Sequence, residues 1–84
     1  MRLEKAIQDS MGKLENVWVT SCREEPFDAS QFSILHRLIE KLGLNRCVTI
    51  MEDSHRYCAK RFYIRDRFRY FCGWALKECR EKGL

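Results

Sequence analysis

The chain of 84 residues predicts a mainly α fold, a small three-helix domain occupying residues 1–84 as one unit. Only one proline and four glycines interrupt it, too few for the many tight turns of an all-β protein. Hydrophobic residues make up 45% and charged residues 33%, a globular balance and not that of a disordered tail. Apolar residues recur at spacings of three and four along three stretches, as amphipathic helices require. A domain this small buries only about 60% of the surface its unfolded chain exposes, so modest stability is expected.

Leu3, Ile7, Met11, Leu14 and Trp18 form the first apolar stripe, with Glu4, Lys5, Gln8, Asp9 and Lys13 on its wet side. Val17-Trp18-Val19-Thr20 suits either a continued helix or a short strand. Arg23-Glu24-Glu25-Pro26 reads as a connector, because Pro26 disfavours helical geometry in Glu25. The second helix is placed at about residues 29–42 on the stripe Phe32, Leu35, Leu38, Ile39 and Leu42. Asp28 and Gln31 have the spacing of a capping box, with Ser30 as an alternative cap. Gly43 suits the left-handed residue that ends a helix, and Leu44 the apolar contact that accompanies it.

Residues 46–51 fit a short strand or an extra short helix, the latter capped by Asn45. Asp53 and Ser54 are expected caps for a third long helix that carries the stripe Phe68, Phe71, Cys72, Ala75, Leu76 and Cys79. A hairpin around Arg65-Asp66-Arg67 is the competing reading there. Helix is preferred because the three-residue link lacks the glycine such hairpins use.

Charge divides the chain unevenly. Residues 1–53 hold seven Lys and Arg against nine Asp and Glu, a net of −2. Residues 54–84 hold nine against three, a net of +6, which points to a polyanionic or acidic partner. With the last segment drawn as one helix, Arg56, Tyr63, Arg67, Tyr70, Trp74 and Lys77 gather on the face opposite the core stripe. Arg61, Arg65 and Arg69 follow at i, i+4 and i+8 along its edge. Aromatic rings offer stacking surfaces to bases, and Arg and Lys neutralise phosphates. The same residues make good anchors in protein interfaces. The expected function is therefore that of a small non-enzymatic binding protein, nucleic-acid-binding and regulatory. The alternative is a protein-binding inhibitor or adaptor on the same face, as a homodimer or against an acidic surface. If the helix instead lies centrally with both faces covered, those aromatics pack against the other helices.

Other chemistries have weaker support. Leu38 to Val48 resembles the middle of a helix-turn-helix, but Glu52 and Asp53 on its second helix would repel phosphate. Cys47, His55, Cys58 and Cys72 are conceivable metal ligands, yet the paired Cys-x-x-Cys of structural zinc sites is missing, and neither metal nor cofactor is expected. No phosphate loop, nucleophile elbow or His-Glu-x-x-His supports catalysis. No apolar run approaches the ~20 residues of a membrane span, and the N-terminus does not read as a secretory signal. A cytoplasmic location, or a nuclear one in a eukaryote, is expected, with all five cysteines reduced. Binding at a membrane surface is disfavoured because cations and aromatics interleave on both faces.

Overall fold

The computed structural model describes the backbone of residues 2–83 and the side chains of residues 5–83. The predicted contribution of Leu3 to the core lies outside the described side chains. Within that range the chain forms α1 (Arg2–Asn16), α2 (Ala29–Leu42), α3 (Leu44–Ala59) and α4 (Arg67–Glu81), with no strand. The mainly α class therefore holds. The extra helix near residues 46–51 is realised inside α3, and the fold has four α-helices where three were expected.

The stripe of α1 buries Ile7 and Leu14 and half-buries Met11. The helix then widens into a single π turn, Val17–Ser21, which carries Trp18 into the core. The connector from Cys22 to Asp28 is not loose. Cys22 and Phe27 are buried, and the Phe27 N–H donates to Glu15 Oε2 at 3.0 Å. Trp18, Phe27 and Phe68 pack ring to ring at centroid separations of 5.7–6.2 Å.

α2 begins with the capping box its sequence announces. The Asp28 carboxylate accepts from the Gln31 N–H at 3.1 Å, and the Gln31 side chain accepts from the Asp28 N–H at 2.8 Å. Leu35, Leu38 and Ile39 are buried, whereas Phe32 is 41% exposed beside Met11 and does not belong to the core. Gly43 ends α2 by donating its N–H to Ile39 O at 2.8 Å. Its φ of 85° is positive as expected, but its ψ of 160° is extended and not left-handed helical. The reason is topological. α3 starts at Leu44, so one residue must turn the chain from one helix into the next.

α3 is the central element and touches α1, α2, α4 and the π turn. Cys47, Ile50, Met51, Ser54 and Cys58 are buried along it. Asp53 and Ser54 thus lie inside a helix and do not cap one, and the Ser54 hydroxyl donates to Met51 O at 3.2 Å. Nor does the Leu38–Val48 stretch have the turn of a helix-turn-helix. Its one-residue connection is shorter than the three- or four-residue turn of a helix-turn-helix, and its second helix is packed on several sides.

The long C-terminal helix is two helices. α3 stops at Ala59, residues 60–66 form a loop, and Asp66 caps α4 by accepting from the Arg69 N–H at 3.0 Å. α4 then folds back antiparallel on α3, with Arg46 at the start of α3 paired to Glu78 near the end of α4. This reversal buries Phe71, Ala75 and Cys79, which matches the stripe expected from Phe68 onward except that Leu76 is exposed.

Candidate functional site

The break at residues 60–66 redistributes the candidate residues. Arg61, Tyr63 and Arg65 lie in the loop, whereas Arg67, Arg69, Tyr70, Trp74 and Lys77 lie on α4. No single helix face carries them all, and the row Arg61, Arg65 and Arg69 does not exist as a helical row. The reversal still brings many of them onto one side of the molecule. Helical spacing places Tyr70, Trp74 and Lys77 together along one face of α4, to one side of the buried Phe71 and Ala75.

At the centre is a residue the sequence pattern does not single out. Tyr57, in the last turns of α3, stacks with Tyr70 at 6.2 Å between centroids and meets Trp74 edge-on at 5.4 Å. The Arg61 guanidinium lies 3.6 Å from the Tyr57 ring centroid and its Nη1 donates to Tyr57 O at 2.9 Å. Such a contact combines ring stacking with cation–π attraction. Tyr57 thus contacts Tyr70, Trp74 and Arg61 at once. Tyr57, Tyr70 and Trp74 are each more than a third exposed. Arg69, Tyr70, Gly73 and Trp74 line a shallow, apolar depression on this surface. Gly73 keeps the floor of that depression free of any side chain, at a cost to the helix of about 1 kcal/mol relative to alanine.

The loop contributes two further rings. Phe62 is 96% exposed and Tyr63 68% exposed, in edge contact at 6.0 Å. Phe62 is a candidate site residue that the helical pattern misses. Its only sequence signal is an aromatic dipeptide set among Lys60, Arg61 and Arg65.

Arg67 is engaged within the fold. Its Nη1 donates to Glu24 Oε2 at 3.0 Å, and the same oxygen lies 2.8 Å from His55 Nε2. Arg67 thus ties α4 to the 22–28 connector and to α3. Its Nε is buried without a hydrogen-bond partner among the described residues. Arg56 is engaged too, with Asp53 one turn before it. In contrast, Lys60, Arg61, Arg65, Arg69 and Lys77 have no carboxylate within 4.0 Å among the described residues. Asp66, the one acid in the loop, is occupied as a helix cap. One border is acidic: Glu78 and Glu81 line a depression with Trp74 and Lys77. The hydrogen bond from Arg46 holds the Glu78 carboxyl down at about 2, so it stays ionised.

Among the described residues, no three His, Cys, Asp or Glu side chains are placed to hold a metal ion. All five cysteines are free thiols. Burial pushes Cys22 and Cys47 up to about 11 and Cys72 up to about 12, which keeps these thiols protonated and poorly nucleophilic. No helix of the described residues is long and apolar enough to cross a membrane. Comparison with protein-family models, with curated proteins and with solved structures gave no match.

Proposed function

We propose that this protein is a small, non-enzymatic, regulatory binding protein whose basic, aromatic surface engages nucleic acid. One observation carries the reading. Exposed rings (Tyr70, Trp74, Phe62 and Tyr63) adjoin five cations that no described carboxylate neutralises. Rings supply stacking and the cations neutralise phosphates, a pairing that bare surface charge does not explain.

A second reading has an observation of its own. The Arg69–Trp74 depression is apolar and bordered by Glu78 and Glu81, features that suit an aromatic anchor of a protein partner or of a second copy of the chain. Salt separates the two. Nucleic-acid affinity, measured with a labelled oligonucleotide, is expected to fall steeply and linearly on a log–log plot against salt. Arg65→Glu with Arg69→Glu should weaken that binding and flatten the slope by roughly 0.7–0.9 for each phosphate the protein no longer neutralises. A slope that the double reversal leaves unchanged would move the function to the protein-binding reading.

A further inference from the structure

Covering apolar ring surface is favourable, so two adjoining rings left largely in water offer a partner a surface to cover. Phe62 is 96% exposed, yet the loop that holds it is not slack. Ile64, two residues on, is 6% exposed and anchors the loop to the body. The Arg61 N–H donates to Cys58 O at 2.9 Å and the Ile64 N–H to Arg61 O at 3.0 Å, closing successive turns. Asp66 then fixes the exit by capping α4. A well-fastened loop thus presents Phe62 and Tyr63 outward, with Lys60, Arg61 and Arg65 around them.

We infer that this loop is a base-stacking tip and that the preferred partner is a nucleic acid with unpaired bases, an inference that rests on the nucleic-acid reading above. A phenyl ring has no donor or acceptor, so it cannot read base edges. It can only cover a π face, and duplexes hide those faces while single strands expose them. The surrounding cations meet the phosphates that such a strand brings along. The rings of the tip and the Tyr70–Trp74 surface are joined through Arg61, whose guanidinium lies on Tyr57. A strand can therefore stack at both places while its backbone follows Lys60, Arg65 and Arg69. Because Ile64 and Asp66 hold the loop, little ordering entropy is lost on binding.

The test measures the anisotropy of a short mixed-sequence single strand and of its duplex at low salt. The wild-type protein is compared with Phe62→Ala/Tyr63→Ala, and thermal melts verify that the variant keeps its fold. Single strand should bind at least about tenfold tighter than duplex. The variant should lose roughly tenfold for single strand and leave duplex affinity nearly unchanged. Equal wild-type affinities for the two forms, or equal losses in the variant, would overturn the tip and leave the nucleic-acid reading standing. Failure to bind either form would overturn both. Vesicles of phosphatidylcholine and phosphatidylserine form the last arm. Binding to them that Phe62→Ala/Tyr63→Ala abolishes, with no oligonucleotide bound, would give the tip to a lipid surface.

Discussion

Trp74 and Phe71 sit one turn apart on α4 and have opposite fates. Phe71 is fully buried, whereas Trp74 is 37% exposed and leans on Tyr57. Phe71→Ala should cost about 3–5 kcal/mol, a large part of what a domain of this size has to lose. Trp74→Ala should cost less, about 1–2 kcal/mol, because more than a third of the residue already meets water, but should remove most oligonucleotide affinity. Melting curves and binding isotherms on the two variants check this contrast. A Trp74→Ala protein that melts like Phe71→Ala would place the ring in the core. Arg67 makes a complementary point. Residue type alone puts it among the phosphate-binding cations, but its bond to Glu24 gives it structural work. Arg67→Ala should therefore act on stability first.

At the scale of the helices, the Gly43 hinge is the sharpest constraint. Its combination of φ 85° and ψ 160° is open essentially to glycine alone, and no atom crowds the place of a Cβ. The cost of substitution is thus backbone strain without steric clash. Gly43→Ala and Gly43→Asn should each lose about 1–3 kcal/mol in chemical denaturation. Asparagine should give no relief, since its advantage belongs to the left-handed helical region. A much milder Asn variant would mean that Gly43 is an ordinary left-handed cap. α2 was legible because its stripe and its Asp28–Gln31 box coincide in sequence. The break between α3 and α4 was not legible. Tyr63, Arg67, Tyr70, Trp74 and Lys77 keep helical spacing across it, and its determinants are the burial of Ile64 and one capping aspartate. Tyr57 carries no sequence signal for the same reason. It meets Tyr70 and Trp74 only once α4 has folded back. The residues of α4 itself were legible, because one element carries both their periodicity and their burial.

For the whole molecule, charge bears on both stability and the proposed binding. The positive excess of the last third falls on the loop and outer face of α4, and the Arg46–Glu78 pair fastens the far end of the same two helices. Glu78 titrates at about 2 in the fold against an ordinary value of 4.5, with the Arg46 hydrogen bond as the main cause. A depressed carboxyl stabilises the fold above its unfolded value and loses that contribution as pH falls towards its folded one. Urea midpoints should therefore drop between about pH 4.5 and pH 2, and Glu78→Gln should flatten the drop. The surface formed by the loop and by Tyr70 and Trp74 of α4 is proposed to bind nucleic acid by stacking. The most direct test of this claim is a ¹⁵N–¹H spectrum recorded while an unlabelled single-stranded oligonucleotide is added. The chain has two tryptophans, and their indole signals report separately on Trp74 at the surface and Trp18 in the core. The expected result is a saturable shift of the Trp74 indole and of the amides of Arg61, Phe62, Tyr63, Arg69 and Tyr70, with the Trp18 indole unmoved. Shifts confined to α1 and α2, or none at low salt, would contradict the claim.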